Sequence, residues 1–217
     1  KALGLEMKDL FSARNGDAVV QSYVYTDEAS RPLIRVLRKY PKGFTQERWD
    51  LDDQMWKAGL LDTRRVPYNL PLLLRAETVW LVEGEKDVES LTRMGEPATT
   101  LLGGCGKWRP EYADYFRGKT VWIVADNDDP GIAGALKVKN ALRGIAHEVH
   151  VYLPAAGRDI TDHLNAGYNL VEVKKDRIEF VGCDTRHNHG QPDTEIVKEA
   201  IEPALQSNLT VDNVRAV

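Results

Sequence analysis

Five carboxylates follow short apolar runs. Glu83 comes after TVWLV (78–82), Asp126 and Asp128 come after TVWIVA (120–125), and Asp159 and Asp162 lie in GRDITD beyond EVHVYL (148–153). Acidic groups packed within a few ångströms repel one another unless a cation sits among them, and hard oxygen ligands with retained waters are how Mg²⁺ is held. The pattern points to divalent-metal chemistry. A plainer use exists for each residue, since Asp87 or Asp128 can accept from the free N–H groups of a first helical turn. Capping, however, needs no clustering on alternate strands, so three acidic strand ends together favour a shared ion. Gly84 and Gly131 sit where close turns follow these runs, and a missing side chain there lets backbone approach a phosphate or a metal-bound water, or simply makes a tight turn.

The elements that must position these residues are readable from apolar patterning. TVWLV, ATTLL (98–102), TVWIVA and EVHVYL are strand-like, and Lys86–Met94, Pro110–Phe116 and Ile132–Leu142 between them carry helical spacing. Strand and helix in regular alternation imply a parallel sheet with right-handed crossovers, which places chemistry at the carboxyl ends of its strands. Upstream, Ala18–Tyr25 and Pro32–Tyr40 flank the polar turn TDEAS and predict an antiparallel hairpin. Pro41–Asp53 reads as loop or short irregular strand, and Pro67–Leu74 as a short helix or turn. Beyond Val171 the sequence offers a strand at Arg177–Val181, the polar loop CDTRHNHGQPD, and a helix from about Thr194 to Leu205.

Across 217 residues, 29 Lys+Arg against 33 Asp+Glu give a formal charge of −4, which excludes a uniformly basic nucleic-acid coat. Charge is local instead: residues 31–68 hold nine basic and five acidic groups, just upstream of the acidic strand ends. Adjacent basic and acidic stretches suit a phosphodiester enzyme, with cations on the backbone and carboxylates on metal. With 42% hydrophobic and 29% charged residues the chain is expected to fold, and its two cysteines fit a reducing cytoplasm. The longest apolar stretch, around Leu70–Val82, is broken by Pro71, Arg75 and Glu77, short of the roughly 20 residues that span a bilayer. Lys1 stands where a methionine would open a complete protein, which suggests a segment of a longer one.

Other motifs carry less. LLGGCGKW (101–108) fails as a P-loop, because Leu101 stands where a glycine is needed and Trp108 follows Lys107 in place of Ser or Thr. Lys107 can still reach a phosphate from this strand end, or lie solvated. Cys105 has no sequence neighbour that would activate it, and Cys183, His187 and His189 match no common zinc spacing. His163, beside Asp162, reads as a core or capping histidine.

Residues 78–166 resemble a Toprim domain, the metal-binding catalytic module of DnaG-type primases, of type IA and type II topoisomerases, and of some nucleases. The resemblance rests on three acidic elements in order: Glu83-Gly84 with Asp87 following, Asp126-x-Asp128 with Gly131, and the pair Asp159 and Asp162. It implies an α/β fold, a Rossmann-like parallel sheet flanked by helices. It further implies that Glu83, Asp126 and Asp128 act at the reacting centre, with Mg²⁺ or Mn²⁺ in a two-metal site held by these residues and by Asp87, Asp159 and Asp162. The preceding segment, YVYTDEASRPLIRVLRKYPKGFTQERW followed by RRVPYNLPLLL, is similar to the region before Toprim in primases of phages and mobile elements, including those fused to helicases. There it forms a small basic α+β subdomain holding template and nucleotides.

The domains implied are residues 1–75 for that subdomain, 76–170 for Toprim, and 171–217 for an extension or linker. Candidate phosphate contacts are Lys42, Arg48, Arg64 and Arg65, joined by Lys86 and Lys107. Tyr23, Tyr25, Phe44 and Trp49 interleave with the cations, a composition that suits either base stacking or a small core. These residues lack the CxxC pair of a primase zinc module and the Walker A motif of a helicase motor.

The expected function is therefore that of a primase core making RNA primers on single-stranded DNA from ribonucleoside triphosphates, beside a fused or separate helicase, in the cytoplasm (the host's, if phage-encoded). Two alternatives stay open: a nuclease in which water replaces the 3′-hydroxyl, and a degenerate Toprim module that has lost its chemistry and only binds DNA or docks.

Overall fold

The computed structural model describes residues 18–41 and 43–175 and contains two four-stranded sheets. β1 (Ala18–Thr26), β2 (Pro32–Tyr40), β3 (Gly43–Asp50) and β4 (Met55–Ala58) run antiparallel in chain order. The turn closing β1–β2 is fixed by Asp27, whose carboxylate accepts from the N–H groups of Ala29 and Arg31. After α1 (Leu70–Arg75) come β5 (Thr78–Leu81), α2 (Glu85–Arg93), β6 (Ala98–Thr99), β7 (Thr120–Val124), α3 (Asp129–Ala141), β8 (Glu148–Tyr152), α4 (Ile160–Asn165) and α5 (Leu170–Lys175). The second sheet is parallel, in the order β6-β5-β7-β8.

Period-two alternation assigns the parallel strands to two cores. Val79, Leu81, Val121, Ile123 and Val151 face α3 through Ile132, Ala135 and Val138. Trp80, Val124 and Tyr152 face Val88 and Leu91 of α2, Ile160 of α4 and Val173 of α5. Tyr23, Tyr25, Ile34 and Val36 of the antiparallel sheet join the first of these cores, so the two sheets pack as one body. Each such side chain removed from water contributes about 1.5–3 kcal/mol.

Two expectations are corrected here. Pro41–Asp53 is mostly a regular strand, because Trp49 pairs with Trp56 across β3–β4 (centroids 5.1 Å apart) and gives this polar stretch an apolar anchor. Pro110–Phe116 is a 3₁₀ segment. Lys42, the strand at 177–181, the loop with Cys183, His187 and His189, and the helix at 194–205 lie outside the described residues.

Candidate active site

Each acidic strand end is shaped by its own loop. Glu83 follows β5, and its Oε2 accepts from the Cys105 backbone N–H at 3.0 Å. Gly104 makes this contact possible: it has φ +86°, and a Cβ there would lie 2.3 Å from Glu83 Oε1. Asp126 follows β7, pressed against Gly131, where a Cβ would lie 2.8 Å from the Asp126 Cβ. Asp128 caps α3, its Oδ1 accepting from Gly131 N–H at 2.8 Å. Asp159 caps α4 through Asp162 N–H (2.7 Å) and pairs with Lys86 Nζ at 3.1 Å. Asp87 is buried at the start of α2, where it accepts from the Thr161 hydroxyl at 2.5 Å and so ties α2 to α4. Capping and clustering thus coexist at Asp128 and Asp159.

Burial and neighbouring charge raise two of these carboxyls. Asp126 is pushed up to about 6, first by burial, then by the charges of Asp87, Glu83 and Asp128, with Arg158 opposing. Asp87 is raised chiefly by burial and then by Asp159, and burial with the neighbouring Glu83 charge raises the Cys105 thiol, making it a poor nucleophile. Asp162 accepts from Arg158 N–H at 3.1 Å. One internal cation is shared: Arg158 Nη2 lies 2.8 Å from Asp128 Oδ2, and its Nε lies 3.4 Å from Asp126 Oδ2. Among the described residues no group of three or more His, Cys, Asp or Glu side chains is placed to hold a metal ion. The donor set nevertheless fits a hard divalent ion, being all oxygen and already bridged by one cation at Asp126 and Asp128.

The basic candidates are engaged in local structure. Arg48 donates to Ala58 O (2.8 Å), Arg64 pairs with Glu28 (2.7 Å), and Arg65 donates to the carbonyls of Thr63 and Leu61. Of the two uses open to the aromatics, Tyr23 and Tyr25 take the core: both are buried, Tyr25 donating to Glu85 at 2.7 Å, whereas Phe44 is exposed. His163 is structural, its Nδ1 accepting from Ala155 N–H at 3.0 Å. A cleft of about 340 Å³ between the β1–β2 ends and α2 is lined by Arg38, Lys39 and Lys86 together with Tyr23, Tyr40 and Glu89. Sequence reading missed Arg38, Lys39, Thr161 and Arg158 as parts of this region. Only the basic count of residues 31–68 hinted at the first two.

No protein-family model matches the chain, and no curated protein matches it. Solved structures do. A DNA primase domain from Pseudomonas aeruginosa has a TM-score of 0.54 at 16% identity, covering 72% of this chain and 50% of that one. The primase fragment of the bacteriophage T7 primase-helicase matches at 20% identity and a TM-score of 0.47, over 67% of this chain and 57% of its own. The Aquifex aeolicus primase, with its zinc-binding and RNA polymerase domains, matches at 17% identity and 0.45, over 86% and 39%. The chain therefore spans 39–57% of these solved chains. The Pseudomonas likeness establishes the fold: a parallel α/β sheet flanked by helices beside an antiparallel sheet, the fold of a primase domain.

Proposed function

We propose that this chain is the catalytic core of a DNA primase, joining ribonucleotides into short RNA primers on single-stranded DNA. What supports the proposal is the position of Glu83, Asp126 and Asp128 just after β5 and β7, at the carboxyl edge of a parallel sheet in a primase-domain fold, with Asp126 and Asp128 sharing Arg158. Glu83, Asp126 and Asp128 would hold Mg²⁺ or Mn²⁺, with Asp87, Asp159 and Asp162 as the further candidates. Bound there, two such ions supply Lewis-acid stabilisation to the transferring phosphoryl group.

The chain's own residues do the rest. The Cys105 N–H fixes Glu83, and the Asp87–Thr161 bond keeps the α2 and α4 loops in register. Lys86, beside Asp159, links the acidic edge to the cleft, where Arg38 and Lys39 offer cations to template or triphosphate phosphates. Of the sequence candidates, Lys107 has its stem against Gly103, in the loop that holds Glu83 through the Cys105 N–H. A helicase partner and action in the cytoplasm belong to the same proposal; no helix among the described residues is long and apolar enough to cross a membrane.

Primer synthesis on a single-stranded template with Mg²⁺ or Mn²⁺ tests this reading. Glu83→Gln and Asp126→Asn are each expected to lower the rate at least about 100-fold. Undiminished synthesis in both overturns it, and cleavage of labelled DNA without nucleotides would indicate a nuclease.

A further inference from the structure

We infer that Arg158 is an internal counter-ion, competing with the divalent ion for Asp126 and Asp128 and passing to a substrate phosphate once displaced. The inference rests on the proposed metal reading and concerns a residue outside its ligand set.

The main chain of Arg158 is fixed on both sides. Its carbonyl accepts from Asn127 N–H at 2.8 Å, between the two aspartates it neutralises, and its N–H donates to Asp162 Oδ2 at 3.1 Å. The turn before it is closed by Gly157, at φ +75°, where a Cβ would stand 2.3 Å from the Asp162 Cβ. The side chain, by contrast, is 68% exposed against 16% for Asp126 and 33% for Asp128, and only its two ion pairs hold it in place.

Competition follows from the oxygen inventory. Asp128 spends Oδ1 on the Gly131 cap and Oδ2 on Arg158, while Asp126 Oδ2 faces the same guanidinium. An ion that takes these oxygens must move Arg158. A single delocalised charge in an exposed pair is held weakly, and a compact divalent ion at short oxygen distances displaces it. The freed guanidinium, still rooted at the rim, presents a planar fork suited to two phosphate oxygens. Arg158 is thus a positioning residue with two alternating partners.

Calorimetric titration of the full chain with MnCl₂, then with inorganic triphosphate at saturating Mn²⁺, separates these roles. Arg158→Gln is expected to bind Mn²⁺ about two- to fivefold tighter, with Arg158→Lys between it and the wild type. Triphosphate should bind Arg158→Gln at least about fivefold more weakly. A merely structural role would weaken both ligands together. Unchanged or weaker Mn²⁺ binding by Arg158→Gln, with wild-type binding intact, overturns the competition alone, and unchanged triphosphate affinity overturns the transfer to phosphate. Absence of Mn²⁺ binding in the wild type overturns the metal reading and this inference with it.

Discussion

Around the antiparallel sheet each of three cations meets its own acids, Arg35 with Glu47 across β2–β3, Lys57 with Asp50 and Asp53, and Arg64 with Glu28 outside the strands, whereas at the carboxyl edge of the parallel sheet Asp126 and Asp128 share the one guanidinium of Arg158. Arg35 also lies 4.7 Å over the Trp56 ring, so even its flat face is used. A basic stretch in a sequence is therefore not yet a basic surface. Its net charge counts groups, and the strand register decides which of them cancel. The parallel edge runs the other way, with Asp126 held at a raised pKa by burial and then by the like charges of Asp87 and Glu83.

Breaking the acidic edge should produce the largest effects. Glu83→Gln or Asp126→Asn removes primer synthesis by at least about 100-fold while leaving the thermal midpoint of the metal-free protein unchanged or higher, measured by parallel activity assays and melts in EDTA. Gly104→Ala comes next: φ +86° with ψ 177° suits glycine alone, and the new methyl would collide with Glu83. A loss of about 1–3 kcal/mol is expected by urea unfolding.

A pH series sharpens the contrast between the two regions. The Asp126 value of about 6 lies above that of the unfolded chain, so its contribution is present below about pH 4 and lost as pH rises through about 6. Asp27, at the β1–β2 turn, is lowered chiefly by the Arg31 N–H, so its contribution is present above about pH 4 and lost as pH falls through the lowered value. In EDTA, Asp126→Asn should abolish the first slope and leave the second. The smallest effect belongs to the loops beside the antiparallel sheet: Arg64→Ala, which breaks an exposed pair with Glu28, should cost no more than about 1 kcal/mol.

The parallel sheet was legible because its strands are short apolar runs whose parity matches two buried faces, as in TVWIV, where Val121 and Ile123 point one way and Val124 the other. GFTQERWD was not, since its residues are mostly half-buried and polar and its strand character comes from pairing with β2 and β4. The acidic candidates were legible as strand-end carboxylates, but the opposing cation was not. Arg158 reaches Asp126 only through the Gly157 turn and the Asn127 hydrogen bond, contacts that no local pattern encodes. The local engagement of Arg48 and Arg65 was illegible for a related reason, as both use their guanidinium groups to close nearby backbone.

Whether the three strand-end carboxylates share an ion can be read by titrating Mn²⁺ into the protein and following the free ion's paramagnetic resonance signal. Wild type should bind the ion and suppress that signal, and Glu83→Gln, Asp126→Asn and Asp128→Asn should each leave it largely free. Equal uptake by wild type and all three variants, or none by wild type, would contradict a divalent site at this sheet edge.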